Sequence, residues 1–258
     1  MMTQEQFLKE IKHKGWVKFD HVLKPDLVSE LNEALMKAYA TCRAIQLENG
    51  VDVNTDGTVH HLLGQDAHFL ELLRDNCLLK HIRAYFNHDY ILNSYGGVIN
   101  TKNKLSYVGN MHRDIRTFYN VPMMINMLVM LDDFTLDNGA TFMLTGSHQK
   151  DERPNVNHFY TNADRAVGKA GDIILFDSLL WHAAGENHTD HIRRALTLTF
   201  TRPFMKQQLD YPRLLGYDKG EEFEEELRQI LGYNARVPSN LKEWYQPPHK
   251  RFYRPGQG

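Results

Sequence analysis

The sequence is poor in cysteine: two residues in 258, Cys42 and Cys77, with no Cys-x-x-Cys spacing. A disulfide framework and a thiolate zinc site are therefore not expected, and a reducing compartment is. No apolar run reaches the roughly 18 residues of a membrane span. The N-terminus carries Gln4-Glu5-Gln6 where a leader needs an apolar stretch, so a cytoplasmic protein is expected. Charge of one sign is not in excess. The net value of -2 argues against a nucleic-acid or membrane-surface partner, and a small molecule is the expected one, bound by a monomer or homodimer. Internal repeats and linker-like stretches are absent too.

What is present is 42% hydrophobic and 24% charged residues, an ordinary globular composition. One domain over 1–258 is expected. A helical layer spans about 1–88, a barrel core about 89–205, and a C-terminal helix and tail 206–258. In the first part, Phe7, Leu8 and Ile11 recur at helical spacing behind Thr3, and Leu27, Val28, Leu31, Leu35 and Ala38 form a second stripe behind Pro25. Residues 43–65 are polar and turn-rich and predict a long loop containing His60 and His61. Neighbouring residues on a strand face opposite ways, so these two are expected to be solvated. Short helices follow over 66–87.

From Tyr90 the pattern turns to strands. Pro122–Leu131 is almost wholly apolar, as for a strand covered on both faces, with Asn126 its one polar residue. That Asn is either tied into the sheet or aimed at a ligand. Further strands are expected at Gly139–Leu144, Gly171–Asp177 and Ile192–Thr201. The charged stretch 149–168 reads as a loop, 219–232 as a late amphipathic helix, and 236–258 as a tail over the barrel. Many short strands behind a helical layer predict an antiparallel double-sheet jelly roll.

The chemistry centres on His112-Arg113-Asp114. On a strand, positions two apart leave the same face, so one imidazole and one carboxylate can meet one cation. A third ligand is offered by His182, in Leu-Leu-Trp-His, and by His148, in Thr-Gly-Ser-His; His182, which follows a buried strand, is preferred. Two His and one carboxylate make the facial triad of non-haem iron sites. The His-Arg-Asp run also opens a kinase catalytic loop, but Tyr119 stands where that loop needs Asn and no Asp-Phe-Gly follows. On Ile192–Thr201, Arg193, Ala195, Thr197 and Thr199 share one face, and Arg194, Leu196, Leu198 and Phe200 the other. The first set suits a pocket and the second a core. An inward guanidinium needs a carboxylate, from a ligand or from Asp172 or Glu186.

The ordered run His112-x-Asp114, Asn138-Gly139-Ala140-Thr141, Thr145-Gly146-Ser147-His148, Gly171-Asp172-Ile173-Ile174-Leu175-Phe176-Asp177, Trp181-His182 and Arg193 resembles the phytanoyl-CoA dioxygenase family of Fe(II)/2-oxoglutarate oxygenases, over about residues 15–205. The resemblance implies a double-stranded β-helix of cupin-like type. It implies His112, Asp114 and His182 as iron ligands, and Arg193 as the seat of the 2-oxoglutarate distal carboxylate. Asn126, Thr141 and Thr197 are expected in the cofactor pocket. Family members often carry a hydroxyl two residues after the distal His; here that residue is Ala184, and Thr197 or Thr199 is the expected substitute. Asp114 sets the chain apart from halogenating relatives, which have Gly or Ala there. With O2 as co-substrate, the implied reaction is hydroxylation of an unactivated C–H bond with release of succinate and CO2; desaturation, epoxidation and cyclisation use the same site. Arg113 and Arg116 are either contacts for an anionic group on the substrate or part of a solvated basic face that balances nearby acids. A cupin-like isomerase or sensor that makes no use of 2-oxoglutarate is the alternative.

Overall fold

The computed structural model describes residues 2–51, 55–104 and 107–257. In chain order the elements are α1 (Gln4–Lys14), β1 (Trp16–Phe19), α2 (Pro25–Glu48), β2 (Thr58–His60), α3 (Ala67–Arg74), α4 (Leu79–Phe86), β3 (Ile91–Asn100), β4 (Met124–Met130), β5 (Thr141–Met143), α5 (Val156–Asn162), β6 (Asp164–Ala166), β7 (Ile173–Asp177), β8 (His182–Ala183), β9 (Arg193–Thr201), α6 (Tyr211–Leu215), α7 (Glu225–Leu231) and α8 (Leu241–Trp244). The first helix opens on a reciprocal Thr3/Gln6 capping box. It ends at Gly15 with φ 84°, a left-handed turn that costs glycine little, and so turns straight into β1.

Six strands form one antiparallel sheet in the order β1-β7-β4-β9-β3-β2, and three form a second, β6-β5-β8. This is an antiparallel, cupin-like jelly-roll core with flanking helices, as expected. The sheets do not close into a barrel among the described residues. Register separates the two faces of the large sheet. Ile125, Met127, Val129, Leu175, Leu196, Leu198 and Phe200 face the helical layer, where Phe7, Leu31, Leu35, Phe69 and Phe86 cover them. Leu128, Met130, Ile174, Phe176 and Ala195 face the small sheet and pack with Phe134, Ala140, Met143 and Ala166. At one end this inter-sheet layer opens into the site. No helix among the described residues is long and apolar enough to cross a membrane.

Several elements differ from the sequence expectation. The second helix runs through 43–48, because Arg-Ala-Ile-Gln-Leu-Glu are good helix formers and no breaker comes before Asn49-Gly50. The expected 43–65 loop thereby shrinks; its residues 52–54 lie outside the described residues. The stretch 149–168 holds α5, which Asn155 caps and Phe159 anchors, and then β6. The late helix starts only at Glu225, because 218–221 turn as a 3-10 segment whose Gly220 lies against the Tyr233 ring. The tail packs on α7 rather than across the sheets: Gln257 bonds Gln229, and Arg254 N–H donates to the Asn234 carbonyl.

Candidate metal centre

His112 and Asp114 do not sit on a strand. The chain around them is irregular and pairs with β8 through one antiparallel bridge, His112 N–H to His182 C=O at 3.0 Å and the reverse at 2.9 Å. The Asp114 N–H then donates to Ser178 C=O at 3.1 Å. These bonds fix the same-face placement that the His-x-Asp spacing suggests. They also bring in His182.

The three ligand atoms lie within 4.8 Å of one another. Asp114 sits between the rings, Oδ1 3.6 Å from His112 Nε2 and Oδ2 3.7 Å from His182 Nε2. Each Nδ1 lies against a carbonyl, Asn110 O at 2.7 Å and Leu180 O at 2.9 Å. A carbonyl only accepts, so each Nδ1 carries the proton and each Nε2 turns its lone pair to the common point. Burial holds His182 below the usual imidazole range, against the pull of Asp114, and so keeps it neutral and able to ligate. This donor set fits a divalent transition metal with open coordination positions.

Asn126 lies behind the carboxylate. Its Nδ2 donates to Asp114 Oδ2 at 2.6 Å and to Ser178 Oγ at 2.9 Å, and its Oδ1 accepts from Thr199 Oγ1 at 2.8 Å. The buried Asn at the centre of β4, which also lines the cavity, thus orients Asp114. Thr199 is spent on Asn126. Thr141 and Thr197 do line the cavity, and neither hydroxyl has a hydrogen-bond partner among the described residues.

Arg193 lines the same cavity of about 270 Å³ as the triad. It is 2% exposed. One Nη donates to Gly139 C=O at 3.1 Å, the guanidinium lies 4.3 Å above the Phe134 ring, and Nε has no partner. No carboxylate pairs with it among the described residues. Asp172 is taken by Lys18 and two backbone N–H groups, and Asp132 by Arg194. Burial pushes the Arg193 pKa down to about 10, against the pull of the Asp132 charge. A buried, unpaired cation is costly, so the fit to a ligand carboxylate is direct.

The expected substrate contacts from Arg113 and Arg116 are corrected. Arg113 is buried on the far side, bonded to the Lys150 and Asp151 carbonyls and the Asp151 carboxylate and lying over the Trp181 ring. Arg116 is exposed and does not line the cavity. His148 bonds Lys12 C=O, away from the triad. His60 and His61, by contrast, both line the cavity, paired with the Tyr107 and Tyr211 hydroxyls at 3.0 Å each. The alternation rule fails because β2 stops at His60 and His61 is left-handed, φ 58°. Nothing in the residue types announces that turn. Ser178 was equally unmarked.

The family model for phytanoyl-CoA dioxygenase (PhyH) matches residues 11–195. An uncharacterized protein of Mycobacterium tuberculosis is 46% identical over 134 residues, which cover 52% of this chain and 49% of that protein. The chain thus spans about half the length of that relative. A dioxygenase of Talaromyces verruculosus, cdmA, is 26% identical over 277 residues, covering 96% of this chain and 89% of its own. Among solved structures, the epimerase SnoN in complex with Fe3+, alpha ketoglutarate and nogalamycin RO superposes with a TM-score of 0.59 at 16% identity, over 77% of this chain and 83% of that one, a likeness of fold. With the match covering most of the chain, the protein belongs to the phytanoyl-CoA dioxygenase (PhyH) family.

Proposed function

We propose that the protein is a 2-oxoglutarate-dependent iron oxygenase that hydroxylates a C–H bond of a small molecule. His112, Asp114 and His182 would hold Fe(II), and Arg193 would hold the distal carboxylate of 2-oxoglutarate. With O2, that pair of groups supplies C–H oxidation and releases succinate and CO2. The observation that carries this reading is the unpaired, buried Arg193 in the cavity of the triad. A metal-binding isomerase or sensor has no use for such a cation.

The chain's own part is placement and exclusion of water. Asn126 holds one Asp114 oxygen, and the Nδ1 bonds of the two histidines fix their rings. Phe176 packs edge-on against the His182 ring at 4.9 Å and, with Leu128 and Met143, makes the apolar wall. The test is anaerobic titration of metal-free protein with Fe(II) and then 2-oxoglutarate. A weak visible charge-transfer band is expected only after both additions, and it weakens in Asp114→Ala and Arg193→Ala. Iron-loaded, folded wild type without a band would refute the reading. Mass analysis of the product then separates hydroxylation from desaturation, epoxidation and cyclisation.

A further inference from the structure

The charges around the cavity are already allotted. Among the described residues that line it, the charged side chains other than histidine are Asp114 and Arg193, and the proposed function uses both. Of the cations that cluster near His112 in sequence, Arg113 is held on the far side and Arg116 does not line the cavity. Lys102 pairs with Asp190 at 2.7 Å and Lys104 with Asp56 at 3.6 Å. Arg165 donates to the Ala140 and Leu136 carbonyls. An anionic substrate would enter with no counter-charge left, and burying an unpaired anion is strongly unfavourable.

Beside the apolar wall, the same sheet offers neutral polar groups. Across β2, β3, β9 and β4, the register aligns His60, Gly96, Thr197 and Leu128 in one row on the cavity face. At Gly96 the row is drawn tight: a Cβ there would lie 2.8 Å from Val59 C=O and 3.2 Å from Thr197 Oγ1, so only glycine fits. The row thus presents an imidazole on one side of the glycine and an unpartnered hydroxyl on the other. Ser94 and Gln208 also line the cavity, and neither side chain has a hydrogen-bond partner among the described residues. The two His–Tyr pairs complete the rim. An imidazole facing a phenol can pass its donor role to either partner by changing tautomer, so the rim adapts to a hydroxyl, which both donates and accepts. Burial keeps both histidines below the usual range and hence uncharged at neutral pH.

We propose that the substrate is a neutral molecule with several hydroxyl or carbonyl oxygens, seated with its polar end against His60, Thr197 and Gln208. This rests on the function proposed above and deepens it. His60 and Gln208 are the specificity-determining residues, because each offers a polar atom that the protein itself leaves unused.

The test is calorimetry under anaerobic conditions on protein loaded with Mn(II), which reads binding and not turnover. The first titrant is 2-oxoglutarate; if it does not bind, the proposed function falls. Matched probes follow: methyl glucoside against methyl glucuronide, and 4-hydroxybenzyl alcohol against 4-hydroxybenzoate. The neutral member of at least one pair is expected to bind about tenfold tighter than its acid. His60→Phe, which keeps a ring of similar size, and Gln208→Leu are each expected to erase that binding while 2-oxoglutarate affinity is unchanged. The inference is overturned, with the proposed function intact, if the acids bind as well as the neutral members, if no probe binds, or if neither folded variant weakens the neutral probe.

Discussion

Arg193 and Arg194 are neighbours on one strand and have opposite fates. Arg194 meets Asp132 three times, through its backbone N–H at 2.7 Å, Nε at 2.9 Å and an Nη at 2.8 Å. Its charge is matched, and its work is to tie β9 to the end of β4. Arg193 points the other way, into the cavity, and is matched by nothing but one carbonyl and a ring. The same contrast runs down the sheet. One face is Leu196, Leu198 and Phe200, closed by helices; the other is Ala195, Thr197 and Thr199, turned to the cavity with the Thr197 hydroxyl spare. An unpaired buried cation costs stability, so the survival of Arg193 in the cavity marks that face as the one a ligand completes.

The largest effect is expected at the triad. Asp114→Ala should lower Fe(II) affinity by more than about a hundredfold, since loss of an outer partner alone typically costs ten- to a hundredfold; equilibrium dialysis measures it. Next come the two arginines. Arg193→Ala should weaken 2-oxoglutarate by about a hundredfold with little change in unfolding midpoint. Arg194→Ala should do the reverse, losing about 1–2 kcal/mol of stability with 2-oxoglutarate affinity kept. Equal effects of the two would dissolve the contrast. Asn126→Ala should loosen the carboxylate and cost about tenfold in iron affinity, read by the same dialysis.

A smaller effect concerns pH. Burial holds His60, His61, His81 and His182 below the usual imidazole range. Above pH of about 6.5 both folded and unfolded chains keep them neutral, and stability is full. As pH falls below that value the unfolded chain takes up protons that the folded one refuses, so stability of metal-free protein declines toward pH of about 5. Urea midpoints across that range should fall; a flat profile would mean these rings are solvated. The smallest effect is at Arg116→Ala, which should leave turnover unchanged; a loss there would restore the anionic contact expected from sequence.

The two faces of β9 were legible because they follow from a fixed period of two residues along an extended chain. The apolar run of β4 was legible for the same reason. His112, Asp114 and His182, by contrast, are brought together by one bridge between irregular backbone and β8. What escaped depended on single turns or on contacts distant in sequence. His61 enters the cavity through one left-handed residue. Arg113 reads as a substrate cation until the Trp181 ring and the 150–151 backbone claim it. The role of Asn126 stayed open because a strand pattern shows that a buried amide needs partners, and not which ones.

Arg193 as a carboxylate receptor is the central claim. The direct measurement is a calorimetric comparison of 2-oxoglutarate with 2-oxobutyrate, which keeps the oxo acid and lacks the distal carboxylate, on Mn(II)-loaded wild type and Arg193→Ala. The prediction is that wild type prefers 2-oxoglutarate by about a hundredfold and that the variant binds both alike. A preference that survives in the folded variant would place the distal carboxylate elsewhere and contradict the account.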